Sequence, residues 1–117
     1  MRSRALDLLR SLAELVLDGK CYGVLAYPSN EIREELNAVK KDYKELIEKA
    51  LGLKVFKVDW TNYESVINGE CLKVIIGERR GYVESVSLSL APLESCSPKH
   101  LASLLKTQVF VKEVVKA

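Results

Sequence analysis

Hydrophobic positions along the chain fall into runs whose period changes from one segment to the next. Over residues 30–51, Ile32, Leu36, Val39, Tyr43, Leu46 and Ala50 recur at alternating steps of four and three, and Glu, Lys, Arg and Asp fill the positions between them. That spacing predicts one long amphipathic helix. Ser29 or Asn30 caps it, Glu31, Glu34 and Glu35 sit in its positive first turn, Lys49 sits in its negative last turn, and Gly52 ends it.

Upstream, Leu6, Leu9, Ala13 and Val16 make the stripe of a first helix over residues 2–18, and Leu8, Leu12 and Leu15 widen it. Residues 21–27 are a continuous apolar run with turn residues after it, which predicts a central strand covered on both faces. Residues 53–60 alternate, with Phe56, Val58 and Trp60 on one side and Lys57 and Asp59 on the other. Strand, long helix and strand compose a βαβ unit with parallel strands and a right-handed crossover. Thr61-Asn62-Tyr63-Glu64 matches a capping box, so a short helix is expected over residues 61–67, although the following Asn68-Gly69 also fits a hairpin turn.

A third strand is expected over residues 70–77 and a fourth over 82–91, joined through Glu78-Arg79-Arg80-Gly81. The fourth alternates cleanly, with Val86, Leu88 and Leu90 on one face and Ser85, Ser87 and Ser89 on the other. This is the mark of an antiparallel strand with one wet face. Ser97-Pro98 opens a final helix; residues 107–117 are rich in β-branched residues, which favours a strand, yet Leu104, Gln108, Val111 and Val115 also fit a helical stripe, so one helix over residues 98–117 is expected, able to project and pair with another chain. The expected fold is therefore a single α/β (α+β) domain over residues 1–117, in two layers. A four-stranded mixed sheet carries helices mainly on one face, in the order α-β-α-β-(short α)-β-β-α.

Composition narrows the class. Hydrophobic residues make up 48% and charged residues 29% of 117 residues, as in globular chains. One Gln, four Asn and one Met against abundant Lys and Glu fit a hyperthermophile protein. The three cysteines, Cys21, Cys71 and Cys96, show no CxxC spacing and an odd count, which argues against a zinc site and against a secreted disulfide frame. No signal peptide or membrane span is expected, so a cytoplasmic chain is the reading.

Catalytic chemistry has little to stand on. The sole histidine, His100, reads as a surface residue, and the turn after Tyr27 lacks the glycines of a phosphate loop. A helix N-terminus at Ser29–Asn30 accepts an anion in principle, but simple capping explains it. Asp59, Glu70 and Lys73 suggest a metal nuclease, yet the Glu-x-x-Lys spacing puts two of them on opposite faces of a strand. No enzyme activity, metal, cofactor or small-molecule substrate is expected.

Nucleic-acid binding has more. Arg79 and Arg80 crown the hairpin, Lys54, Lys57 and Lys73 lie on the strands, and Trp60, Tyr63 and Tyr82 lie near them. Cations that track phosphates, interleaved with aromatic faces that stack on bases, are what single-stranded DNA or RNA requires. Against this stand a core role for Trp60 and an edge-protecting turn at Arg79-Arg80. The competing class is an oligomerising or adaptor domain that uses the first and last helices as a homodimer seam.

The order helix, CYGVLAYPS strand, long amphipathic helix, KVFKVDW strand, TNYESVINGE connection and basic hairpin, spanning residues 19–93, resembles the ThermoDBP group. These are single-stranded DNA-binding proteins of hyperthermophilic archaea. The resemblance implies a non-OB α/β domain that binds single-stranded DNA with little sequence preference, often followed by a dimerising coiled coil. This chain has no sustained heptads before Ala117, so the family's dimerising segment is expected to be either missing or removed, and no residue role is carried over.

Overall fold

A computed structural model describes residues 3–39 and 42–98. The first helix, α1 (Arg4–Leu17), starts at Ser3, whose Oγ accepts the Leu6 N–H at 3.1 Å, and ends at Asp18. The Glu35 carboxylate accepts the N–H groups of Ala5 (2.6 Å) and Arg4 (3.2 Å). An acidic side chain from a neighbouring helix thus satisfies donors that the first turn leaves open. Of the stripe, Leu9, Ala13 and Val16 are buried and Leu6 is half-buried; of the residues that widen it, Leu12 is buried, Leu8 half-buried and Leu15 exposed.

The periodic stretch 30–51 is two helices rather than one: α2 (Asn30–Ala38) and α3 (Lys44–Leu51). Tyr43 explains the break. It is fully buried, and its N–H donates to the Tyr63 hydroxyl at 3.0 Å instead of entering a helical ladder. A long-range hydrogen bond thus overrides local periodicity. Gly52 does cap α3, in the left-handed conformation.

The strands are β1 (Gly23–Ala26), β2 (Phe56–Asp59), β3 (Asn62–Ile67), β4 (Glu70–Arg79) and β5 (Tyr82–Pro92). They form a five-stranded sheet in the order β1-β5-β4-β3-β2, and every neighbouring pair is antiparallel. The fold is α+β, and the expected four-stranded mixed sheet is corrected. After four antiparallel steps β1 and β2 point the same way, but they occupy opposite edges, so they are no parallel pair and form no βαβ unit. β1 is an edge strand, with Leu25 exposed, and not a central one.

The expected short helix over 61–67 is β3. Thr61 makes no cap: its Oγ1 donates to the Ile76 carbonyl, and Ile76 N–H returns to the Thr61 carbonyl at 3.0 Å. Asn68-Gly69 is the hairpin turn, both residues with positive φ (50° and 77°), as a two-residue hairpin needs.

Register assigns the faces, since directly opposed residues share one. Tyr63, Val74, Leu88 and Val24 align on one face, where Leu72, Ile76 and Val86 join them. The helices supply Leu9, Val16, Leu36 and Ile47 to the same core. The opposite, open face carries Ser85, Ser87 and Ser89, as the alternation predicts. One corner of it is covered. A 3-10 turn (Leu93–Ser95) brings Cys96 back to Cys71, and the two form a disulfide beside Phe56, Val66 and Leu93. This corrects the reading of isolated cysteines: only the chain reversal after β5 reveals the pair. Cys21 is free. The final helix expected over 98–117 lies, beyond Pro98, outside the described residues. Among the described residues no helix is long and apolar enough to cross a membrane.

Candidate nucleic-acid interface

The β4–β5 turn, the β2–β3 turn and the exit from β1 lie toward the same end of the sheet. The β4–β5 turn holds Arg80 and Gly81, both at positive φ (54° and 84°), with Arg79 opposed to Tyr82 in register. The β2–β3 turn holds Trp60, also at positive φ (45°). Thr61 lies across from Ile76, so this turn is set back from Arg80 by four residues along β4, about 13 Å. β1 ends at Ala26, opposite Val86, so Tyr27 emerges at the same end.

Exposure separates the aromatic residues. Trp60 is 81% exposed, and Tyr27 and Tyr82 are each 69% exposed. The core-anchor alternative for Trp60 therefore fails. A register shift between Lys57 and Asp59 breaks the alternation with Phe56 and Val58, and the indole leaves the sheet in the turn. Tyr82 also borders a shallow groove with Asn30, Arg33, Glu34 and Asn37 of α2. Beside it, the Val83 N–H, next to the Gly77–Glu78 register shift, donates to Asn37 Oδ1 at 2.9 Å and ties the hairpin to the helix layer.

Tyr63 is corrected outright. It is 1% exposed, packed against the helices, and its hydroxyl accepts the Tyr43 N–H. Burial chiefly raises its pKa, and raises that of Tyr43 to about 12, where the Glu78 carboxylate adds to the effect. No base can stack on Tyr63.

The basic residues divide as well. Arg79 and Arg80 are exposed at the tip, and Arg79 makes a 3.9 Å contact with Glu84 that solvent screens. Lys57 is exposed on the edge strand β2. Lys73 lies on the open face, 3.8 Å from the buried Glu64 carboxylate, and compensates that charge. Lys54 precedes β2 at the far end of the sheet, six residues from Trp60 or about 20 Å of extended chain. Arg79, Arg80 and Tyr82 thus share the β4–β5 turn, Trp60 lies toward the same end about 13 Å behind it, and Lys54, Lys73 and Tyr63 lie elsewhere. Tyr27 is the residue that sequence reasoning missed, because the run 21–27 reads as wholly buried. Its position just before Pro28, where the strand must stop, was the available signal. Glu78, Glu84 and Asp59 lie near the same end, so the local charge is mixed rather than strongly basic.

The nuclease grouping does not assemble. Asp59 sits at the tip end with its Oδ1 accepting from Asn62 Nδ2 at 2.6 Å, while Glu70 opens β4 at the other end. Ile75, in the row of Asp59 and Asn62, is five residues or about 16 Å from Glu70. Ser29 acts as a plain helix cap, its Oγ accepting the Ile32 N–H at 3.4 Å. Among the described residues, Glu64, Cys71 and Cys96 bring potential metal-ligand atoms within 4.8 Å of one another, but the two sulfurs are bonded together. Compared with protein-family models, curated proteins and solved structures, the chain finds no match.

Proposed function

We propose that this protein binds single-stranded nucleic acid, DNA in preference to RNA, with low sequence specificity and without catalysis. The observation that carries the reading is the exposure of Trp60, Tyr82 and Tyr27 toward one end of the sheet, where the β4–β5 turn also exposes Arg79 and Arg80. Aromatic planes on turns offer sequence-tolerant stacking, and two guanidinium groups reach phosphates between stacked bases. Because acidic residues lie nearby, stacking contributes more than charge, and the salt dependence is that of few phosphate contacts. The ThermoDBP resemblance points to the same ligand and to a homodimer in a hyperthermophile cytoplasm. A buried disulfide in an intracellular chain fits such an organism.

Fluorescence anisotropy of a labelled oligonucleotide, single- against double-stranded, at low and moderate salt, tests the reading. Preference for the single strand, with quenching of the Trp60 emission, is expected. Equal or absent binding of both forms removes the proposal. The chain is then an oligomerising or adaptor domain, a class to be tested by its mass in solution.

A further inference from the structure

The corner that closes over the open face of the sheet brings three metal-ligating side chains together. Glu64 stands on β3, Cys71 on β4, and Cys96 follows the 3-10 turn after β5. The register pairs Val66 with Cys71 and Glu64 with Lys73, so Glu64 lies one row from Cys71 on the same face. A carboxylate oxygen and both sulfurs lie within 4.8 Å of one another, and all three residues are buried. Phe56, Val66 and Leu93 pack around the sulfurs. An odd cysteine count without CxxC spacing argues against a zinc site, but the chain reversal after β5, and not spacing, assembles this set.

Glu64 is the part of this corner that a disulfide leaves unexplained. Burying a carboxylate is costly unless its charge is met. Its Oε1 accepts the Ser97 N–H at 2.9 Å. Lys73 Nζ stays 3.8 Å from its Oε2, beyond hydrogen-bond length. Two bonded sulfurs bring neither a positive charge nor a donor to it. A cation between the sulfurs and the carboxylate supplies what is missing.

We propose that, once the Cys71–Cys96 bond is reduced, Glu64, Cys71 and Cys96 bind one zinc ion, which takes over from the disulfide in holding the corner closed. The reductant is a dithiol. Its two thiols pass two electrons and two protons to the disulfide, which leaves Cys71 and Cys96 as thiols and the dithiol as a disulfide. Zn²⁺ then displaces both thiol protons, and two thiolates and one Glu64 oxygen ligate it. Water takes the fourth position. Thiolate ligands select zinc over magnesium or calcium. Two thiolates and a carboxylate around Zn²⁺ leave one negative charge, and Lys73 beside Glu64 offsets it. Tetrahedral angles at a Zn–S length of about 2.3 Å set the sulfurs about 3.8 Å apart. Side-chain rotation reaches that separation from Cα atoms 5.6 Å apart. Cys71 is nine residues from Arg80, about 30 Å of strand, so the site is independent of the nucleic-acid reading.

Metal titration of the full chain tests it. A Cys21→Ser background leaves only Cys71 and Cys96 to supply thiols. The chain is reduced with a dithiol, freed of it by gel filtration without air, and titrated with Co²⁺ and then Zn²⁺. A thiolate-to-cobalt charge-transfer band is expected to saturate at one equivalent and to be bleached by one equivalent of Zn²⁺. The unreduced chain, which keeps the fold and has no thiolates at this site, should show no such band. Zn²⁺ should raise the melting midpoint of the reduced chain and leave that of the unreduced chain in place. Glu64→Gln should weaken Zn²⁺ binding, read by competition with a chelator, by more than the about tenfold that loss of an outer-shell partner costs. Absence of the band, a band that survives Cys96→Ala, or unchanged affinity in Glu64→Gln overturns the proposal.

Discussion

Trp60→Gly separates a binding role for the indole from a structural one. The side chain is 81% exposed, so only about a fifth of its surface is removed from water. For a ring that can bury about 200 Å², that is about 40 Å², or about 1 kcal/mol of burial at about 25 cal/mol per Å². Against this loss, Trp60 holds φ at 45°, in the left-handed region. A side chain there costs about 1–2 kcal/mol, of which glycine gives back about 0.5–1 through its own larger unfolded-state entropy. The terms nearly cancel, and the stability of the variant is expected within about 1 kcal/mol of the parent. A core tryptophan would instead lose about 3–5 kcal/mol on truncation. Affinity for a single-stranded oligonucleotide is expected to fall by about 1–3 kcal/mol, the worth of one stacked base, or about 5- to 150-fold. Trp60 is the sole tryptophan, so unfolding in denaturant is followed by circular dichroism and binding by anisotropy of the labelled strand. A stability loss above 3 kcal/mol would show the indole to be an anchor, and unchanged affinity would show that no base stacks on it. Either result refutes the reasoning.

Three further outcomes are expected of the same structure. Replacing Arg79 and Arg80 together by alanine should lower the slope of log affinity against log salt by about 1.4, two phosphate contacts at about 0.7 each for a single strand, with stability nearly unchanged because the Arg79–Glu84 contact is exposed. Cys71→Ala with Cys96→Ala opens a loop of 25 residues and should cost about 3.5 kcal/mol of stability, read as a lower denaturation midpoint. Tyr43, whose folded pKa is raised to about 12 from 10.0, contributes stability that is complete below pH 10. Between pH 10 and 12 the unfolded chain loses the phenolic proton first, so stability falls by about 1.4 kcal/mol per pH unit, up to about 3 kcal/mol. Tyr43→Phe should flatten that decline in denaturation curves measured from pH 9 to pH 12.

Local rules read correctly wherever the chain's partners are near in sequence. The stripe of α1, the serine alternation of β5, the tight Arg80-Gly81 turn and the Gly52 cap all answer to neighbours within a few residues. Errors gather where a distant group takes over a backbone donor or a side chain. Thr61 and Glu64 have the chemistry of a capping box, but Ile76 engages the threonine and Lys73 with Ser97 the glutamate, and β4 turns the segment into a strand. β3 also lacks alternation because it is covered on both sides, by the helix layer on Tyr63 and by the disulfide corner on Val66. The Cys71–Cys96 bond itself depends on the reversal after Pro92, which no spacing rule encodes.

Trp60 and Tyr63 show why the site was half legible. Both are aromatic, both lie close to charged residues, and three positions separate them. Residue type alone offers no ground for treating them differently. The register shift between Lys57 and Asp59 throws Trp60 out of the sheet at the turn, while Tyr63, paired with Val74, drops into the helix layer. There its hydroxyl meets the Tyr43 N–H, and the same contact that removes Tyr63 from the interface divides the long helical stretch in two. The exposure of Trp60 and the burial of Tyr63 therefore both follow from the pairing of β2 with β3 and β4. Exposure at the tip is a property of that register and not of residue type. Tyr27, just past the end of β1, is exposed as Trp60 and Tyr82 are, and Tyr63 is not.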